Sequence, residues 1–126
     1  MPGIDLVDVS KRYSTSNDER LCVLDGVSMS VSKGEFRTIV GPSGCGKTTL
    51  LHILAGIEQS DEGYVTLPGD GQLGFVFQEP RLLEWRTVGE NLEFALDGTE
   101  IPASDYDSRI AKIIETVGLS DFRDEY

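Results

Sequence analysis

Cysteine is scarce: the 126 residues hold two, Cys22 and Cys45, neither with a CxxC neighbour or a histidine at ligand spacing. That excludes a disulfide framework and a zinc site, and both are read as reduced thiols. Long apolar runs are missing too. The longest, Leu50 to Ile57, is interrupted by His52 and falls far short of the roughly 20 residues that span a bilayer. The first ten residues, MPGIDLVDVS, carry no basic segment leading into an apolar core, so no secretory leader is read and a cytoplasmic location is expected. Basic charge is in short supply. Eleven Lys and Arg stand against 22 Asp and Glu, a formal net charge of -11, which argues against nucleic acid and anionic lipid as partners. What remains, 39% apolar and 26% charged residues without repeats or low-complexity segments, is the composition of one soluble globular domain.

Periodicity organises the chain. Ile4, Leu6 and Val7 mark a strand with imperfect alternation, and STSNDER at 14–20 reads as a loop. Val27, Met29 and Val31 alternate with serines as a half-buried strand, and Lys33-Gly34 supplies a turn before an apolar strand at Phe36 to Val40. An antiparallel sheet in the N-terminal third is expected from these short links. Leu50, Ile53, Leu54 and Ile57 then fall on one helical face that ends near Gly56. YVTL at 64–67 and LGFVF at 73–77 read as two more strands. Thr87 to Glu90 fits a capping box opening a helix near Val88, with Leu92, Ala95 and Leu96 on its apolar face. A last helix is expected from about Asp105, with Ile110, Ile113, Ile114 and Val117 as its stripe and Gly118 as its stop.

Between the strand at 36–40 and the helix lies GPSGCGKTTL, where Gly41, Gly46, Lys47 and Thr48 match G-x-x-x-x-G-K-[ST]. A chain of this composition produces about 0.007 such matches by accident, so the motif outweighs the alternative of a glycine-rich turn. Each residue type has a physical role. Glycines at 41, 44 and 46 let the backbone, with that of Pro42, Ser43 and Cys45, fold into a concave nest of inward N–H groups. The following helix adds unsatisfied amides and the positive end of its dipole. Lys47 would place a point charge on the β- and γ-phosphates, and the Thr48 hydroxyl would hold Mg²⁺. Thr49 would support the α/β-phosphate region or be an ordinary helix residue. The backbone of Cys45 matters here more than its thiol. The net negative charge is no obstacle, because distant charges are screened beyond about 8 Å while the cradle acts at contact.

A phosphate cradle does not by itself separate ATPases, GTPases and small-molecule kinases. Four segments go further: VSKRY at 9–13, VLDGVSMSVSKGEF at 23–36, GPSGCGKTTLLHILAGI at 41–57 and GFVFQEPRLLEWRTVGENLEFAL at 74–96. Together they resemble the ATP-binding subunit of ABC transporters over nearly the whole chain. FQEPRLLEW points within it to the nitrate, sulfonate and taurine importer group. The resemblance implies an α/β P-loop NTPase core of the ABC ATPase kind with an N-terminal antiparallel β subdomain, residues 1–126 being a partial ATP-binding domain. It implies ATP and Mg²⁺ as cofactors. Tyr13 falls at the A-loop position, where it would stack on adenine; from the residues alone it is a strand-end tyrosine. Gln78 falls at the Q-loop position, where it would touch Mg²⁺ or the attacking water and, with Lys47, carry the catalytic roles present. It also stands at the carboxyl end of an expected strand, where α/β ligands bind. Leu82, Leu83 and Trp85 are either packed core or, by resemblance, part of a segment from Gln78 to Thr87 that docks on a transmembrane permease subunit at the inner face of the membrane. A second ATP-binding subunit would complete the dimer.

Part of the family's machinery has no counterpart in these residues: no Walker B strand ending in Asp-Glu, no LSGGQ loop, no switch histidine. The chain therefore resembles the N-terminal half of such a subunit, expected to be marginally stable alone, to bind Mg-ATP weakly and to hydrolyse little. A P-loop kinase using Glu79 on the metal, and an inactive fragment, are the competing readings. A GTPase is disfavoured because no N-K-x-D motif occurs.

Overall fold

The structure is a computed structural model describing residues 2–69 and 72–126. It divides into two units, Met1–Phe75 and Val76–Tyr126.

The first unit is built on two long antiparallel strands, β1 (Pro2–Ser14) and β2 (Arg20–Ser32), joined by the short loop expected from STSNDER. A third strand, β3 (Glu62–Thr66), pairs with the other edge of β1, giving the order β2-β1-β3. The imperfect alternation of β1 has a structural cause. Register shifts flank Leu6 and Val9, and Asp8 between them takes a positive φ of 50°. Such a bulge inserts one residue and resets the side-chain alternation, so Leu6 and Val9, three apart, both reach the core. They are 2% and 0% exposed. The Asp8 N–H donates to Ser28 Oγ at 2.9 Å, and the Gly26 N–H donates to buried Ser10 Oγ at 2.9 Å, so the irregular backbone keeps its hydrogen bonds.

One helix, α1 (Lys47–Leu54), lays Leu50 and Ile53 against Leu6, Val9 and Leu24 to form the core. The helix stops where Gly56 adopts φ +70°: the Ile57 N–H bonds to His52 O at 2.9 Å and the Gly56 N–H to Ile53 O at 3.1 Å, a Schellman closure. Ile57 therefore lies beyond the helix and is exposed, contrary to the four-residue stripe expected from spacing. Two expected strands are also corrected. Neither Phe36–Val40 nor 73–77 joins a ladder, and Phe36, Val40 and Val76 are 93%, 83% and 95% exposed. An extended segment becomes a strand only as part of a continuous ladder with a paired neighbour, whatever its apolar content. Ile39 alone of 36–40 packs partly against the core.

In the second unit, α2 (Val88–Leu96) opens with the expected capping box: Glu90 N–H donates to Thr87 Oγ1 at 3.2 Å, and Thr87 N–H to Glu90 Oε2 at 2.8 Å. The helix α3 (Tyr106–Thr116) packs against it and ends at Gly118, φ +74°, in a second Schellman closure to Ile114 O and Glu115 O. Of the expected stripe Ile110 and Ile114 are buried, whereas Ile113 and Val117 are exposed.

Candidate functional site

The loop from Gly41 to Gly46 leads into α1, which starts at Lys47. Two of its glycines hold left-handed backbone, Gly44 at φ +78° and Gly46 at φ +101°. Gly46 is also a point of close approach: a Cβ there would stand 2.8 Å from Val23 O and 2.9 Å from Val23 Cγ1 on β2. The loop is thus clamped onto the sheet. At Gly41 a Cβ would meet Cys45 Sγ at 2.7 Å, so the Cys45 side chain fills the space next to Gly41. Pro42, Ser43, Gly44 and Cys45 are exposed, as is Thr48 on the first turn of α1.

Lys47 folds back over the loop. Its Nζ donates to Gly41 O at 2.6 Å and Pro42 O at 2.7 Å, with Cys45 Sγ at 3.6 Å. An ammonium has three N–H donors and thiol sulfur is a weak acceptor, so two donors are strongly used and the third is easily redirected. With Thr48 exposed beside it, the donor set is that of an anion receptacle: an ammonium, the start of a helix and a loop whose glycines leave the concave side free of Cβ atoms. These residues fit a magnesium triphosphate.

Tyr13, near the end of β1, reaches toward α1. Its hydroxyl donates to Glu58 Oε1 at 2.5 Å and lies 3.4 Å from Thr49 Oγ1, which brings the residue beside α1. Burial first, and then the hydrogen bond to Glu58, hold the Tyr13 phenol above its ordinary range. Lys11 Nζ sits over the ring, 5.4 Å from its centroid. A cleft of about 380 Å³ opens beside the ring, lined by Arg12, Tyr13, Ser14, Arg20, Asp61 and Glu62. Within it Arg12 pairs with Glu62 at 2.8 Å, and the carboxylate hydrogen bond raises the guanidinium further.

Gln78 belongs to the second unit, where it is exposed, and the cradle belongs to the first. In the segment that follows, Leu82 and Trp85 are 69% and 71% exposed while Leu83 is half-buried. The segment is nevertheless ordered by Asn91 on α2. Its Oδ1 accepts from Leu83 N–H at 2.9 Å, and its Nδ2 donates to the carbonyls of Leu83, Arg86 and Thr87 at 3.1, 3.2 and 3.0 Å. Neither Asn91 nor Glu58 stood out in the sequence. Asn91 lies on the polar side of a helix one residue past the capping box, and Glu58 follows a helix stop; only tertiary contacts distinguish them from solvated side chains. His52 is half-buried with its ring 5.7 Å from Phe75.

Among the described residues no helix is long and apolar enough to cross a membrane, and no three His, Cys, Asp or Glu side chains cluster to hold a metal. Comparison with known proteins places this geometry. The family described as ABC transporter matches residues 24–126. The taurine import ATP-binding protein TauB of Jannaschia sp. (strain CCS1) is 36% identical over 131 residues, covering 99% of this chain and 49% of that protein. The aliphatic sulfonates import ATP-binding protein SsuB 1 of Pseudomonas syringae pv. syringae (strain B728a) is 48% identical over 103 residues, covering 81% and 40%. The chain therefore spans about half the length of the curated relatives it matches. Among solved structures, the dimeric post-hydrolysis state of the ATP-binding cassette MJ0796 bound to ADP and Pi superposes with a TM-score of 0.79 at 28% identity, covering 96% of this chain and 60% of that one.

Proposed function

The chain belongs to the ABC transporter family, and on that premise we infer that it is part of an ATP-binding subunit that powers import through a membrane permease. The observation that carries the reading is the cradle itself, with Lys47 poised over a clamped glycine loop at the start of α1. Gly41 to Gly46 would wrap the phosphates with backbone amides. Lys47 would turn its third N–H from Cys45 Sγ to a phosphate oxygen, keeping its two carbonyl bonds and so arriving already oriented. Thr48 would offer its hydroxyl to Mg²⁺, Thr49 would lie beside the α/β-phosphates, and Gln78 would supply a further contact to the metal or to water. Bound Mg²⁺ would offset phosphate charge and fix the shape of the triphosphate. Tyr13 would stack on adenine.

Import of a small sulfonate compound, taurine or an aliphatic sulfonate, is the transport reading that the named relatives support. Exposed Leu82 and Trp85, on a loop held by Asn91, suit the permease-docking segment from Gln78 to Thr87. A second ATP-binding subunit, and a cytoplasmic position peripheral to the membrane, complete the proposal. Since these residues include no Walker B acid pair and no LSGGQ loop, we expect the 126-residue chain to bind Mg-ATP without fast turnover. Isothermal titration tests this: Mg-ATP should bind one to one, and Lys47→Ala should weaken it by roughly 10- to 100-fold, the worth of a charged hydrogen bond. Equal affinity in the two proteins would remove the cradle assignment.

A further inference from the structure

The geometry points to Glu58, braced by Lys11, as the positioning residue that holds the Tyr13 ring at a set place relative to the phosphate cradle. The proposal rests on the nucleotide-binding reading above and concerns how the base side of that site is built.

A tyrosine near the end of a strand would ordinarily sample several rotamers. Tyr13 is instead tied both to the helix that begins at the cradle and to the residue that follows its stop. Its hydroxyl meets Thr49 Oγ1, two residues after Lys47, at 3.4 Å, and donates to Glu58 Oε1 at 2.5 Å. Glu58 follows directly on the Schellman closure, and its own N–H bonds to His52 O at 3.2 Å, so its backbone is fixed to the end of α1. Its carboxylate is fixed in turn by Lys11, whose Nζ stands 3.5 Å from Glu58 Oε1, 3.7 Å from Asp61 Oδ1 and 2.8 Å from Gln59 O. The Lys11 and Glu58 side chains are 15% and 24% exposed, so the pair is largely removed from solvent screening.

Lys11 does a second thing. Its ammonium lies over the Tyr13 ring at 5.4 Å, a cation–π contact that further holds the ring in place. The consequence is preorganisation. A ring already ordered in the free protein need not be ordered when the base arrives, and fixing a rotamer-rich side chain on binding lowers affinity by about three- to tenfold.

The test compares Mg-ATP with Mg-tripolyphosphate, which carries the phosphates and no base, by isothermal titration on the full chain. Four proteins are needed: the unchanged chain, Glu58→Ala, Glu58→Gln and Tyr13→Phe. We expect Glu58→Ala and Tyr13→Phe each to lose about three- to tenfold for Mg-ATP and nothing for Mg-tripolyphosphate, whose unchanged binding also shows that the cradle is folded. Glu58→Gln, whose amide oxygen still accepts from the phenol, should restore most of the loss. The proposal is overturned if Glu58→Ala weakens both ligands equally, if it weakens neither, or if the glutamine variant is as impaired as the alanine one. A folded, unchanged chain that binds neither ligand would instead overturn the nucleotide reading and this inference with it.

Discussion

Gly46→Ala is the substitution whose effect follows most directly from the backbone. At φ +101° an alanine is strained, which costs about 1–3 kcal/mol. The new Cβ would also stand 2.8 Å from Val23 O, 2.9 Å from Val23 Cγ1 and 3.1 Å from Leu24 Cδ2. Val23 O is backbone on β2 and Leu24 is a core residue, so neither retreats freely, and overpacking of this kind adds about 1–3 kcal/mol. The matched control is Gly44→Ala in the same loop. Its φ of +78° brings similar strain, but nothing lies within 4 Å of the added carbon. The two variants should thus differ by the contact contribution alone. With a urea slope of about 1–3 kcal/mol/M, the Gly46→Ala midpoint should lie roughly 1 M below that of Gly44→Ala. Urea titrations followed by circular dichroism provide the comparison. Coincident midpoints would refute the claim that the loop is clamped against β2.

Alkaline titration of tyrosinate absorbance should show late components from Tyr13, held up by burial and then Glu58, and from Tyr106, held up by burial and then the charge of Asp97. Because their folded-state values are raised, their contribution to stability is complete below the ordinary phenol value near 10 and is lost as pH rises through the folded one; Tyr13→Phe should remove one late component, and an unchanged curve would contradict the assignment. Asn91→Ala should free the loop at 83–87, lowering stability by about 1–3 kcal/mol through unpaired backbone groups, and fluorescence anisotropy of Trp85, the single tryptophan, should fall. An anisotropy equal to that of the parent would show that the loop is held by other contacts. Thr87→Ala should remove the capping box and cost about 1 kcal/mol in thermal unfolding; no change would show the cap to be energetically idle.

Local rules carried much of this molecule. The capping box at Thr87 and Glu90, the stop at Gly118, the alternation of Val27, Met29 and Val31, and the glycine loop that leads into α1 were legible because each depends on residues within a few positions of one another. Phe36–Val40 and 73–77 were misread as ladder strands because a ladder is made by pairing between distant segments, which apolar character in a local pattern does not reveal. Ile57, Ile113 and Val117 fit a helical period yet are exposed, since a period identifies a face and not the width of what covers it. Around the candidate site, the placing of Lys47 and Thr48 on the first turn of a helix was legible from motif spacing, whereas the contacts of Glu58 with Lys11 and Tyr13 join residues 47 and 45 positions apart and were invisible to any local window.

The central claim is that the loop from Gly41 to Gly46 and the first turn of α1 receive a triphosphate. Amide NMR shifts during a Mg-ATP titration of the folded chain test it at the residues concerned. The account predicts that the largest saturable shifts fall on the amides of Gly44 to Thr49 and diminish sharply in Lys47→Ala. A chain with dispersed, folded-state amide signals whose Gly44 to Thr49 resonances stay fixed at saturating Mg-ATP would contradict it.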